Sequence, residues 1–183
     1  MKTLVIIPSR MSATRLPGKP LLKINGLSII SHVSKKAEEA NIGDVIVATE
    51  DQEIIEDVKS NGFNAILTSN KHKTGTDRIY EALKKSNIKD VDFIMNLQGD
   101  EPAIEIDDIK NLNDKMVKNN SNLGTLAAKI KDIKNIKNEN IVKVITENSL
   151  ERDPFPKAVS FSRKFEQVDN IYHHIGIYCY SRD

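Results

Sequence analysis

Between Thr3 and Pro8 the chain reads Thr-Leu-Val-Ile-Ile-Pro, a short, apolar, largely β-branched run stopped by a proline. A run this short without polar alternation suits a strand buried on both faces of a parallel sheet. Comparable runs return at Val45–Ala48, Ala65–Thr68, Phe93–Leu97 and Leu123–Ile130. Between them, apolar residues recur at helical spacing: Ile29, Ile30, Val33, Ala37 and Ala40; Ile54, Ile55 and Val58; Ile79, Ala82 and Leu83; Ile109, Leu112 and Met116. Asp51 is placed to cap the second of these helices, and Thr74 with Asp77 to open the third in the manner of a capping box. Strands alternating with helices need crossover connections, so the pattern predicts a doubly wound, mostly parallel α/β sheet.

From about Lys131 the rhythm changes. Ile141–Thr146, Ala158–Ser162 and Tyr172–Tyr180 read as strands without long helices between them, which predicts an antiparallel C-terminal extension. The Lys- and Asn-rich stretch from Lys129 to Asn140 is expected to be a solvated connection. The predicted organisation is a single domain over 1–183, with an α/β core at 1–130 and the strand extension at 131–183, which is expected to reach toward a partner subunit.

Composition serves here to exclude. With 39% hydrophobic residues over 183 positions the chain can bury a core, so disordered and fibrous classes are out. The single cysteine, Cys179, cannot staple a fold, and no apolar run approaches the roughly 20 residues that cross a bilayer. The expected setting is a reducing cytoplasm. A net charge of +1 conceals an asymmetry. Residues 1–37 hold seven basic side chains and no acid, while the rest holds 20 basic and 26 acidic residues, a balance of −6. A basic end on an acidic body, with sparse aromatics, points to an anionic ligand near the N-terminus and away from a nucleic-acid coat.

Open parallel sheets bind ligands beyond the carboxyl ends of their strands. The loop after the first strand runs Pro8-Ser9-Arg10-Met11-Ser12-Ala13-Thr14-Arg15-Leu16-Pro17-Gly18-Lys19-Pro20. It interleaves Arg10, Arg15 and Lys19 with small residues and a Pro-Gly turn, a composition able to wrap a polyphosphate. By charge alone it reads equally well as a solvated cationic loop. It is neither a Walker A loop nor a Gly-x-Gly-x-x-Gly turn. The fourth strand ends in Asn96-Leu97-Gln98-Gly99-Asp100-Glu101-Pro102, which brings an acid to the same rim. Asp100 there is a candidate ligand for a Mg²⁺ ion bridging phosphate oxygens, the alternative being a helix-entry cap. Lys71-His72-Lys73-Thr74-Gly75-Thr76-Asp77-Arg78 forms a third loop on that rim, with small residues opening a helix.

These segments, together with Thr14-Arg15-Leu16-Pro17-Gly18-Lys19-Pro20-Leu21 and His174-Ile175-Gly176-Ile177-Tyr178, resemble the 3-deoxy-manno-octulosonate (KDO) cytidylyltransferase family over the length of the chain. The resemblance implies a Rossmann-like sheet of the nucleotide-diphospho-sugar transferase type with 1–130 as its nucleotide-binding core, the 131–183 extension on the sugar side with dimer contacts, a Mg²⁺ cofactor and a homodimer. The implied activity joins CTP to KDO, giving CMP-KDO and diphosphate for lipopolysaccharide biosynthesis. Carried over by motif, Arg10, Arg15 and Lys19 hold the triphosphate, Pro8 and Ser9 lie against the nucleotide, and Gly75, Thr76 and Arg78 border the cytidine. Asp100 binds Mg²⁺, and Arg10, Lys19 and Asp100 form the catalytic group. Gln98, Arg163, His174 and Tyr178 surround the sugar acid, with the planar guanidinium of Arg163 suited to its carboxylate.

The chain departs from the family in two places. Lys164-Phe165-Glu166-Gln167-Val168 stands where an Ile-Pro segment usually follows, and family members continue past Asp183 through a further metal-binding aspartate. A truncated C-terminus is therefore expected. Alternative functions are a cytidylyltransferase for another sugar acid, such as sialic acid, and a nucleotide-binding domain without turnover. The sialic-acid enzymes usually carry Gly-Gly-Ser-Lys where this chain has Met11-Ser12-Ala13-Thr14. Adjacent His173 and His174 point to opposite faces of a strand, His32 and His72 lack zinc spacing, and Cys179 reads as a small strand hydrophobe.

Overall fold

The computed structural model describes residues 1–12, 16–132, 134–164 and 169–182. In chain order the elements are β1 (Thr3–Ser9), a 3₁₀ turn (Lys19–Leu21), a small hairpin of β2 (Lys23–Ile24) and β3 (Leu27–Ser28), and α1 (Ile29–Glu39). Next come β4 (Gly43–Thr49), α2 (Gln52–Ser60), β5 (Ala65–Leu67), α3 (Gly75–Lys85), β6 (Phe93–Asn96) and α4 (Ile106–Asn119). The chain continues with β7 (Leu123–Ala128), α5 (Lys134–Lys137), β8 (Lys143–Thr146), β9 (Ala158–Ser162) and β10 (Ile171–Ser181). It packs as two compact units, Met1–Gly124 with Ile177–Asp183, and Thr125–Gly176.

The first unit is built on β1. Leu4, Val5, Ile6 and Ile7 are all fully buried, as a strand covered on both faces requires. β1 pairs in parallel with β4 on one side, from Thr3 opposite Gly43 to Ser9 opposite Thr49, and with β6 on the other. β5 joins β4 in parallel, and the last residues of β10, Tyr178 to Ser181, close the far side antiparallel to β6. The strand order β5-β4-β1-β6 reverses direction between β1 and β6, the topological switch point where doubly wound sheets open a crevice. The helical stripes read from the sequence are the buried faces of α1 to α4: Val33 and Ala37, Ile54 and Val58, Ile79 and Ala82, and Ile109 and Met116 are all covered.

In the second unit β8 pairs antiparallel with β9 and with the first residues of β10, and β7 also pairs with β10. The antiparallel character of the extension thus matches the expectation. The described residues of the Lys129–Asn140 stretch are largely exposed, as a solvated connection requires, and they include the short helix α5, which buries none of its residues. β7 also stops at Ala128, two residues short of the predicted run. Among the described residues, no helix is long and apolar enough to cross a membrane.

Candidate nucleotide-binding site

A cleft of about 320 Å³ opens at the carboxyl ends of β1 and β6. Its walls are Pro8, Ser9 and Arg10 from the end of β1, Lys19 and Pro20 from the 3₁₀ turn, His72 to Gly75 with Arg78 around the start of α3, and Gln98 to Asp100 beyond β6. The three loops singled out in the sequence therefore converge on one cavity at the switch point.

Each wall has a local cause. The first loop is pinned at its neck: the Met11 N–H donates to Asp51 Oδ2 at 2.8 Å, and the Gly18 N–H donates to Met11 O at 3.0 Å. Gly18 takes the left-handed conformation (φ 72°) that launches the turn carrying Lys19. Asp51 does occupy the N-cap position of α2, yet its carboxylate makes no cap bond and serves the loop instead. The Thr74 hydroxyl caps α3 by accepting from the Asp77 N–H at 3.2 Å and donates to Asp77 Oδ2 at 2.7 Å. The positive end of the α3 dipole, with Thr74 and Gly75, therefore faces the cleft. Gly99 lets the loop after β6 pass against β1: a Cβ there would sit 2.9 Å from Pro8 O and 3.0 Å from Ile30 Cδ1.

The charges on the walls are not equally free. Lys19 Nζ lies 2.9 Å from Asp100 Oδ2 in a largely exposed pair. The Arg78 guanidinium is buried, bonded to Glu50 and, at 2.6 Å, to Thr68 Oγ1. The His72 ring nitrogen Nε2 contacts Glu81 Oε2, and Glu81 also accepts from Lys85 Nζ at 2.7 Å and from the Ser69 N–H at 2.9 Å. Lys85 foremost, then Ser69 and His72, hold the Glu81 carboxyl down at about 2. Among the described residues Arg10 and Lys73 have no acidic partner. The buried Ser9 hydroxyl, on the cleft wall, finds no hydrogen-bond partner among them either. Buried hydroxyls are ordinarily satisfied, so this one stands out on the cleft wall.

Of the residues anticipated from sequence, Pro8, Ser9, Arg10, Lys19, Gly75, Arg78, Gln98 and Asp100 share this cleft. Arg15 lies outside the described residues. Thr76 is exposed in the first turn of α3 and is not part of the lining. Tyr178 belongs to the same unit, on β10 opposite Asn96, with its ring stacked on Tyr180 at 6.1 Å. Arg163 and His174 belong to the second unit. There Arg163 is exposed, and His174 is buried, its ring edge-on to Phe161 at 5.0 Å. Burial first, then the charge of His173, lowers the His174 pKa below its usual 6.5. Thr125 Oγ1 lies 3.0 Å from His174 Nε2 and donates to Ile175 O at 3.1 Å, so the His174 ring is held by hydrogen bonding within the second unit. His72, Lys73 and Thr74, which the sequence placed on the rim loop that opens α3 without assigning them a role, also line the cleft. Cys179 is fully buried, and burial pushes its thiol up to about 12, so it is the inert strand residue expected.

A switch-point cleft with cationic walls, a helix N-terminus and, among its described lining residues, one carboxylate at its mouth defines a nucleotide-binding α/β domain built for polyphosphate. Comparison with known proteins narrows this. The cytidylyltransferase family model matches residues 4–183. The 3-deoxy-manno-octulosonate cytidylyltransferase of Rhodopseudomonas palustris is 44% identical over 99% of this chain and 74% of its own length; that of Thermodesulfovibrio yellowstonii is 40% identical over 99% and 76%. The solved structure of CMP:2-keto-3-deoxy-manno-octonic acid synthetase complexed with CTP superposes with a TM-score of 0.88 at 35% identity, covering 100% of this chain and 75% of that one. The chain belongs to the cytidylyltransferase family, in its 3-deoxy-manno-octulosonate branch.

Proposed function

We propose that the chain binds CTP in the β1–β6 cleft and transfers its cytidylyl group to 3-deoxy-manno-octulosonate, releasing diphosphate. The observation that carries this reading is the convergence of Arg10, Lys19 and the N-terminus of α3 on one cavity that also holds Asp100. A triphosphate needs such a surround, and the unpartnered Ser9 hydroxyl offers the nucleotide a further hydrogen bond.

The chemistry follows from charge and position. The anomeric hydroxyl of the sugar acid attacks the α-phosphorus in line and diphosphate leaves, so the protein must bring two anions together and offset the charge growing on the leaving group. Lys19 and Arg10 do the second of these, and the dipole of α3 adds to them. Arg15 is assigned to the same triphosphate grip, and Gly75 and Arg78 to the cytidine side. With its guanidinium committed to Glu50 and Thr68, Arg78 acts by shaping the wall. Gln98, Tyr178, Arg163 and His174 are assigned to the sugar acid, Arg163 to its carboxylate.

Asp100 fits a Mg²⁺ site of the substrate-completed kind. Its carboxylate is more than half exposed in the cleft, and Mg²⁺ commonly takes one or two carboxylates plus phosphate oxygens and water. Among the described residues no group of three or more His, Cys, Asp or Glu forms a cage that could hold a metal without substrate. When bound, the ion supplies further neutralisation of the leaving diphosphate. We assign the reaction to the cytoplasm, where CTP is made, and the assembly to a homodimer. Exposed Val159 and Phe161 on β9 are apolar surface that a second copy would cover.

The test is diphosphate release with Mg²⁺ and CTP, with and without the sugar acid. The reading requires release that depends on 3-deoxy-manno-octulosonate and prefers CTP to UTP. Release indifferent to either, or faster with sialic acid, defeats it; CTP binding without any release would make the chain a binding domain.

A further inference from the structure

Strand β8 opens with a lysine whose side chain is fully buried. An ammonium group inside a protein must find partners or lose its charge. Lys143 finds three backbone carbonyls: its Nζ donates to Asn138 O at 2.8 Å, Ile141 O at 3.1 Å and Arg163 O at 2.5 Å. Three N–H donors meet three acceptors, which satisfies the group without a carboxylate. The two carbonyls between, those of Glu139 and Asn140, accept from Arg163 Nη1 at 3.1 and 3.0 Å. Four consecutive carbonyls after α5 are thus shared by two cations, Lys143 from within and Arg163 from outside. Lys143 also holds the backbone of Arg163, so both ends of that arginine hang on the same loop.

The consequence is directional. With Nη1 committed to the loop, the Nε–Hε and Nη2 edge of Arg163 has no partner among the described residues. That edge is the one that grips a carboxylate through two parallel hydrogen bonds. We propose that Lys143 is the positioning residue of Arg163: its buried ammonium fixes the 138–141 loop and the Arg163 backbone, so that the guanidinium presents its bidentate edge to the carboxylate of the sugar acid. The proposal rests on the assignment of Arg163 to that carboxylate.

Two measurements on the full chain separate the proposal from its premise. The first is calorimetric binding of 3-deoxy-manno-octulosonate and, separately, of CTP to wild type, Lys143→Met, Arg163→Ala and the double variant. Lys143→Met is expected to weaken the sugar acid at least about tenfold and CTP by less than about twofold, and to add almost nothing once Arg163 is gone, the non-additivity of residues acting as one unit. Additive losses, or unchanged sugar-acid binding in Lys143→Met while Arg163→Ala weakens it, overturn the proposal. The second is the ¹⁵N NMR signal of the Arg163 Nε–Hε group, assigned by its loss in Arg163→Ala. In Lys143→Met that signal should move and sharpen toward a freely rotating side chain; an unchanged signal overturns the proposal. If Arg163→Ala binds the sugar acid as wild type does, or wild type does not bind it, the premise fails and the NMR measurement alone decides the positioning. If Lys143→Met unfolds, Lys143→Arg replaces it with the same expected directions, because a guanidinium cannot donate to three carbonyls from one atom.

Discussion

Lys19 Nζ and Asp100 Oδ2 meet at 2.9 Å although 81 residues separate them, joining the loop after β1 to the loop after β6 across the mouth of the cleft. Both side chains keep substantial solvent contact, 31% and 55%, and exposed pairs of this kind contribute only about 0–1 kcal/mol to stability. Lys19→Ala should therefore shift the melting temperature by less than about 4 °C in a chain of this size. The same change removes a charge-assisted contact to triphosphate, so the Kd for CTP should rise about tenfold or more. Calorimetry and a thermal melt on one preparation check both; a large fall in Tm with unchanged CTP binding would make Lys19 a structural residue.

The pair of Arg78 with Glu50 should behave in the opposite way. Arg78 is buried, Glu50 nearly so, and Thr68 takes another of the guanidinium protons. Replacing Glu50 with Gln leaves a buried guanidinium short of its counter-charge, a loss of about 3 kcal/mol by the usual cost of breaking such pairs. A urea melt measures it, and a loss below about 1 kcal/mol would show that water already reaches the pair.

The contrast between these arginine and lysine roles marks what could be read from the chain in advance. Apolar periodicity revealed β1, β4, β6 and α1 to α4, because burial on a parallel sheet imposes spacings that survive in one dimension. The rim residues Arg10, Lys19, Gly75, Gln98 and Asp100 were legible because switch-point loops follow directly from strand ends. The partners of those residues were not. Nothing in sequence joins Asp51 to the Met11 N–H 40 positions away, Glu50 to Arg78, or Glu81 to His72, since each contact exists only once the strands are in register. The 129–140 stretch was equally opaque: a Lys- and Asn-rich composition gives no sign that its carbonyls will hold Lys143 and Arg163.

Glu81 gives the molecule an acid-sensitive joint beside the cleft. Lys85, Ser69 and His72 hold its carboxyl at about 2 in the folded chain against an ordinary 4.5. A depressed carboxylate contributes stability that is complete above the unfolded value and is lost as pH falls through the folded one. Wild-type stability should therefore decline between pH 4.5 and about 2. Glu81→Gln should be less stable at neutral pH and show a flatter decline across that window. Denaturant melts at pH 7, 5, 4 and 3 test this, and parallel curves for the two proteins would remove Glu81 from the account.

Gly99 supplies a change that should damage fold and site together. An alanine Cβ at this position would stand 2.9 Å from the Pro8 carbonyl oxygen, 3.0 Å from Ile30 Cδ1 and 3.3 Å from Ile7 Cγ2. The isoleucine atoms can rotate aside, but the Pro8 carbonyl is backbone at the end of β1 and can retreat only by moving the strand end. Overpacking of this kind costs about 1–3 kcal/mol. Because Pro8, Ser9 and Arg10 move with that strand end while Gln98 and Asp100 stay with β6, Gly99→Ala should also widen the cleft and weaken CTP binding severalfold. Lys19→Ala should weaken binding at nearly constant stability, whereas Gly99→Ala should lower both. A Gly99→Ala protein that melts and binds CTP as the wild type does would show that the two strand ends have room to spare.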